Sequence, residues 1–207
     1  VILANPQRAK PQELLEAFAR AVDSLGGKYI TAQDVGISEA DMVAVSKVTP
    51  HVAGLPGQGG DPGPYTARGV FLGVKAAVKH ALGTDDLHGV HVAIQGVGSV
   101  GGGLARYLAA EGAKLTLADV DAQRAADLAR ELGGQSVAAD AIMTVEADVF
   151  SPCALGAVLT EASVAALKVR AVAGGANNQL ATGPEVRMLA DRGILYAPDY
   201  VINAGGI

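Results

Sequence analysis

Three glycines at fixed spacing mark where this chain could do chemistry. Gly96, Gly98 and Gly101, in Gly96-Val97-Gly98-Ser99-Val100-Gly101, follow the apolar run Val90-His-Val-Ala-Ile-Gln95 and open a helical pattern. In such a strand–turn–helix the first glycine makes a tight turn. The second leaves room for a pyrophosphate against backbone N–H groups, and the third lets helix and strand approach closely. The helix N-terminus favours negative charge there. The same pattern wants an acid at the end of the next strand, and Asp119 closes Leu115-Thr-Leu-Ala-Asp119, 18 residues beyond Gly101 (119 − 101). A carboxylate there accepts hydrogen bonds from an adenosine ribose and repels a 2′-phosphate, which predicts NAD rather than NADP.

Other polar residues are less specific. Asp34, in Thr31-Ala-Gln-Asp34-Val-Gly36, reads by spacing alone as a turn-capping aspartate, with a held catalytic carboxylate as the alternative. Asn177 and Asn178 follow the run Ala171-Val-Ala-Gly-Gly175, and Asn203 precedes another glycine pair. Ligands in open α/β sheets bind beyond the carboxyl ends of strands, yet asparagine is also an ordinary turn residue. Cys153 has no nearby histidine and no second cysteine, so it reads as a small buried residue. His51, His80, His88 and His91 show no ligand spacing, and no metal site is expected.

The elements that must position these residues follow from periodicity. Helices are expected at Pro11 to Leu25, Pro64 to Leu82, Val100 to Glu111, Ala122 to Leu132, Glu161 to Leu167 and Pro184 to Arg192. A short helix follows Ser38, which reads as an N-cap with Glu39 and Asp41 in the first turn. Strands are expected at Val1 to Leu3, Lys28 to Thr31, Val90 to Gln95, Lys114 to Ala118, Ser136 to Val137, Val149 to Phe150, Val169 to Ala173 and Ile194 to Tyr196. Strand–helix alternation after Gly89 gives parallel pairing through right-handed crossovers. The stretch from His51 to Gly63 holds five glycines and marks the main boundary. The expected fold is therefore α/β. Residues 1–60 form part of a catalytic and oligomerisation domain, and residues 61–207 form a linking helix with a doubly wound Rossmann-type NAD-binding domain.

Composition narrows the partners. The chain has 207 residues, 39 of them alanine and 27 glycine, and a formal charge of −5. With no Lys/Arg run, no Trp and 4% aromatics, a nucleic-acid partner is not expected. No apolar run approaches the roughly 20 residues of a membrane span. A single cysteine excludes an internal disulfide and suggests a reducing compartment, hence the cytoplasm. The chain opens on Val1 in a strand-like run and stops after a glycine pair, so it reads as a piece of something longer.

Six segments, taken in order, carry a resemblance. They are Tyr29-Ile-Thr-Ala-Gln-Asp34-Val-Gly36, Pro62-Gly-Pro-Tyr-Thr66-Ala-Arg-Gly69, the glycine motif, Ser151-Pro-Cys-Ala-Leu-Gly156, Gly175-Ala-Asn-Asn-Gln-Leu180 and Tyr196-Ala-Pro-Asp-Tyr-Val-Ile-Asn-Ala-Gly-Gly206. Together they resemble the leucine/valine/phenylalanine branch of the amino-acid dehydrogenases, relatives of glutamate dehydrogenase. The resemblance implies reversible oxidative deamination, in which a branched-chain L-amino acid gives its 2-oxo acid, ammonia and NADH. It assigns proton transfer at the substrate nitrogen to Asp34, against the plain reading of that residue. Thr66, Asn177 and Asn203 match positions near the nicotinamide and substrate, and Cys153 and Ala154 a segment lining the cofactor cleft. Ala32 and Val201 match the side-chain pocket. The family's water-activating lysine, a second lysine for the substrate carboxylate and the C-terminal helices have no counterpart in these residues. The resemblance therefore implies a homo-oligomer at full length, a site in the cleft between the two parts with Asp34 facing the cofactor, and no turnover by this stretch alone. Alternatives are a non-catalytic NAD-binding remnant, a valine or phenylalanine dehydrogenase, another NAD enzyme sharing only the cofactor fold, and an assembly part stabilised by nucleotide.

Overall fold

Short, nearly continuous apolar runs give this chain its strands, and amphipathic runs between them its helices. The structure, a computed structural model, describes residues 10–34, 36–57 and 61–206. The chain divides into two units, Val1–Pro62 and Gly63–Ile207. The strand expected at Val1 to Leu3 lies outside the described residues.

In the first unit, α1 (Gln12–Asp23) buries Leu15, Ala19 and Val22 along one stripe. The second helix, α2 (Glu39–Ser46), buries Met42 and Val45. Leu15, Ala19 and Val45 share one apolar cluster. Ser38 caps α2 as expected, in a reciprocal box. Its hydroxyl accepts the Asp41 N–H, and the Asp41 carboxylate accepts the Ser38 N–H at 2.8 Å. Lys10 pairs with Asp41 at 3.0 Å. Burial works against the Asp41 charge, but the Ser38 and Lys10 bonds outweigh it and hold the carboxyl below its ordinary value. The strand expected at Lys28 to Thr31 is absent. Only Thr31 pairs, in an isolated parallel bridge with Val52, because the tyrosine and isoleucine before it find no neighbouring strand and stay exposed.

In the second unit the elements follow in order. They are α3 (Gly63–Leu82), β1 (His91–Gln95), α4 (Ser99–Ala110), β2 (Lys114–Ala118), α5 (Ala122–Leu132), β3 (Gln135–Ser136), β4 (Val149–Pro152), α6 (Glu161–Ala166), β5 (Ala171–Val172), α7 (Glu185–Asp191), β6 (Leu195–Tyr196) and α8 (Asp199–Ile202). The six strands form one sheet of order β3-β2-β1-β4-β5-β6, and every pair is parallel. Alternation sorts the core into two layers. Val92, Ile94, Val149 and Ala171 face the cluster containing Val74 of α3, Leu104 of α4 and Leu128 of α5. Ala93, Phe150 and Val172 face the opposite cluster, with Val164 of α6 and Leu189 of α7. Both faces are covered, so the strands read as nearly continuous apolar runs. The sheet is doubly wound, as the sequence predicts.

The sheet also has a place where strand order reverses. The chain lays β1, β2 and β3 outward on one side, returns to the centre, and lays β4, β5 and β6 outward on the other. The crevice between the carboxyl ends of β1 and β4 is where such sheets take ligands. Two short turns were not legible, a 3-10 turn at Ile142–Thr144 and the pair formed by α8 with the 3-10 turn Ala204–Gly206. The last pair lies on α3 at two glycines one helical turn apart. A Cβ on Gly69 would stand 3.3 Å from the Gly205 Cα, and one on Gly73 2.2 Å from the Ile202 Cγ1.

Candidate functional site

The turn after β1 is shaped by close approach. Gly96 has φ +88°, and a Cβ there would meet the Ala154 Cβ at 2.8 Å. A Cβ on Gly101 would stand 1.9 Å from the Gly96 carbonyl oxygen and 3.0 Å from the Cys153 Cβ. These two glycines set α4 directly against the ends of β1 and β4. Gly98 differs, because a Cβ there meets nothing within 4 Å. It is the N-cap of α4, it offers no side-chain cap, and it and Ser99 are exposed. Open space at a helix N-terminus whose N-cap residue has no side chain suits a phosphate.

Asp119 sits immediately beyond β2, half-buried. One carboxylate oxygen accepts the Val97 N–H at 2.8 Å, and the other the Asp121 N–H at 2.9 Å. Its carboxylate is thereby tied to the glycine turn, 22 residues earlier, with acceptor capacity left for ribose hydroxyls. The residues present therefore fit a dinucleotide, with phosphate space at Gly98 and a ribose acceptor fixed beside it.

Across the crevice lie the loops after β4, β5 and β6. Cys153 is half-buried against α4. Its sulfur lies 3.4 Å from the Gly175 N–H and 3.5 Å from the Ser151 hydroxyl. Burial pushes its thiol above the usual value, only partly opposed by those two contacts, so it is a poor nucleophile. Ala154 and Asn177 are exposed, and Thr66 is half-buried in the second turn of α3. The β4 and β5 loops are bound together. The Ala157 N–H donates to Asn178 at 2.7 Å, the Leu159 N–H donates to Gln179 at 2.9 Å, and Leu159 bridges Leu180. Buried Gln179 gathers the second loop, its amide nitrogen donating to the carbonyls of Gly174 and Ala176.

Asn203 reaches this loop from the end of α8. Its amide nitrogen donates to the Asn177 Oδ1 at 2.6 Å. The pairing uses one donor group and one acceptor. Whichever way the two amides are turned, it leaves the other amide nitrogen and oxygen for a ligand. Val201 is exposed on α8.

The glycine turn, Asp119, Cys153, Ala154, Asn177 and Asn203 thus all belong to the carboxyl edge of the sheet in the second unit. Ala32 and Asp34 belong to the first unit, where both are exposed in the turn after Thr31, and the Asp34 carbonyl accepts the Ile37 N–H at 3.0 Å. Two residues that sequence reasoning passed over also stand at the edge. Asp199 opens α8, and its carboxylate accepts the Asn178 N–H. Tyr196 is pushed up to about 12 by burial and by the neighbouring Asp199 charge. Among the described residues, no cluster of three or more metal-ligating side chains occurs, and no helix is long and apolar enough to cross a membrane.

Comparison with known proteins gives a consistent result. Residues 117–207 match the Glutamate/Leucine/Phenylalanine/Valine dehydrogenase family. The whole chain is 45% identical to a leucine dehydrogenase of Thermoactinomyces intermedius, over 57% of that protein. It is also 45% identical to an L-tryptophan dehydrogenase of Nostoc punctiforme, over 59% of it. The crystal structure of an L-tryptophan dehydrogenase from Nostoc punctiforme superposes on 95% of this chain with a TM-score of 0.74 and 43% identity, covering 57% of that chain. A hetero-hexameric glutamate dehydrogenase from Thermus thermophilus shares the fold, with a TM-score of 0.77 at 24% identity over 98% of this chain and 56% of its own. The chain spans a little over half the length of the curated relatives it matches.

Proposed function

We infer that this chain belongs to the glutamate/leucine/phenylalanine/valine dehydrogenase family, and propose on that premise that the protein catalyses reversible NAD-dependent oxidative deamination of a branched-chain L-amino acid to its 2-oxo acid and ammonia. The observation that carries the cofactor is the open face of Gly98 beside an Asp119 carboxylate tied to the Val97 N–H. In this turn the start of α4, Gly98, Ser99 and Val100, would hold the pyrophosphate, while Gly96 and Gly101 shape the turn by close approach and the Val97 N–H holds Asp119 in place. Asp119 would hold the adenosine ribose and disfavour a 2′-phosphate. Cys153 and Ala154 would wall the crevice, and Thr66 and Asn177 would flank the nicotinamide. A bound NAD would supply the hydride acceptor for the substrate Cα.

The remaining roles concern the substrate. Asp34 moves a proton to and from the substrate nitrogen, and Asn203 orients the substrate through its amide. Ala32, in the first unit, and Val201, in the second, are each assigned to the substrate side chain by the family resemblance alone. Water activation falls in the family to a lysine with no match among these residues, and we expect no turnover from this stretch alone. The leucine-type preference rests on Tyr200-Val-Ile-Asn-Ala-Gly-Gly206, since relatives named for leucine and for tryptophan are equally identical to the chain. The protein is expected in the cytoplasm, as a homo-oligomer.

The test is NADH formation by the protein as its gene encodes it, with L-leucine, L-valine, L-phenylalanine and L-tryptophan in turn. Asp34→Asn should lower turnover by about 10²- to 10⁴-fold, the usual contribution of a positioned proton-transfer group. Full activity in that variant would remove Asp34 from the mechanism.

A further inference from the structure

We propose that Asp199 is a positioning residue for the nicotinamide end of the site, fixing through the Asn178 N–H the turn that carries Asn177. The inference rests on the dinucleotide reading above and deepens it. Asn178 has φ +51°, one of two non-glycine residues with positive φ among those described. The left-handed region is unfavourable for any residue with a Cβ, and asparagine tolerates it best. A turn of that kind persists when its surroundings hold it. Here the holding group comes from 21 residues away, where the Asp199 carboxylate accepts the Asn178 N–H.

Asp199 is half-buried at the start of α8, beside Tyr196 at the end of β6, whose phenol feels the Asp199 charge. Burial and that charge push the Tyr196 phenol up to about 12, so it stays neutral beside the carboxylate at neutral pH. On the other side of the turn, the Asn178 carbonyl accepts the Ala157 N–H at 2.7 Å, so Asn178 is held through both its N–H and its carbonyl. Its position then sets Asn177, and through the 2.6 Å amide pairing it sets Asn203. Asp199 and Asn203 are at opposite ends of α8, so the carboxylate fixes both members of the pair, one through the turn and one through the helix.

NADH and ADP-ribose distinguish this role from a merely structural one. Both carry the adenosine and pyrophosphate, but only NADH carries a nicotinamide. In the protein as its gene encodes it, Asp199→Ala should weaken NADH binding by about tenfold, the scale of one charge-assisted hydrogen bond, and leave ADP-ribose within about twofold. Asp199→Asn should recover most of the NADH affinity, because its amide oxygen can still accept the Asn178 N–H. Equal losses for both ligands would show that Asp199 only supports the fold, and unchanged NADH binding would show that it supports nothing at the site. Either result overturns the proposal and leaves the dinucleotide reading intact. A wild-type protein binding neither ligand would overturn that reading, and this inference with it.

Discussion

Gly98→Ala adds a single methyl group at the start of α4, and the protein gives it room, since a Cβ there meets no atom within 4 Å. Its φ of −69° is one any residue can adopt. Replacing glycine by alanine at a compatible position restricts the unfolded chain and stabilises by about 0.4–1 kcal/mol. Stability should therefore hold or rise slightly. Binding should move the other way, because the space the methyl takes is the space assigned to the pyrophosphate. Losing one hydrogen bond to a charged phosphate costs about 1.5–3 kcal/mol, or roughly ten- to a hundredfold in Kd. Gly101→Ala is the contrasting control. Its Cβ would lie 1.9 Å from the Gly96 carbonyl, well inside the 3.0 Å that real Cβ atoms respect, so it should cost stability by about 1–3 kcal/mol as α4 is driven off β1. NADH fluorescence titration and urea unfolding of both variants read the two quantities separately. A Gly98→Ala protein that binds NADH like the wild type would refute the phosphate assignment, however well the rest of the motif is formed.

Three further outcomes are expected. Asp119→Ala should weaken NADH by about tenfold, through lost charge-assisted hydrogen bonds, and narrow the gap to NADPH; an unchanged ratio of the two Kd values would mean Asp119 does not read the ribose. Gly73→Ala drives a Cβ to 2.2 Å from Ile202 and should destabilise by about 1–3 kcal/mol, with Gly73→Ala/Ile202→Ala recovering part of the loss in urea unfolding. Glu185 is buried at the start of α7, and burial opposes its charge. The Thr182 hydroxyl at 2.8 Å and the Gly183 N–H at 2.6 Å outweigh that and hold its carboxyl below the ordinary 4.5. A lowered folded-state value stabilises above the unfolded value and is lost as pH falls through the folded one. The acid limb of the Tm–pH curve below about 4.5 should thus be shallower in Glu185→Gln.

What could be read in the sequence follows how local each cause is. Lys114–Ala118 and Ala122–Leu132 have the expected bounds, because alternation fixes the first, and Asp121 with Gly133 caps the second. The five-residue strand expected at Val169 to Ala173 contracts to Ala171–Val172, where β4 and β6 offer ladder partners for only two residues. The glycine motif was legible because its three demands act within six residues. Asp199 was not. Its partner is 21 residues away, and α8 depends on packing against Gly69 and Gly73 rather than on propensity. A proline–aspartate pair before an apolar run is a helix-start signal, and it could have pointed to α8, though not to Asn178.

The seat of Gly205 against Gly69 has a consequence for the order in which the molecule is made. These residues are 136 positions apart (205 − 69), so the contact that completes the edge around Asn203 is among the most non-local in the chain. A ribosome adding roughly 5–20 residues per second needs roughly 7–27 s to travel from one to the other. Throughout that interval the stripe on α3 lacks its natural occupant. The mononucleotide half, with Gly96 to Gly101 and Asp119, can form long before the asparagine pair exists. Nascent chains are accordingly expected to grip the adenosine end of a dinucleotide first, and to gain the nicotinamide end only when the last turn docks.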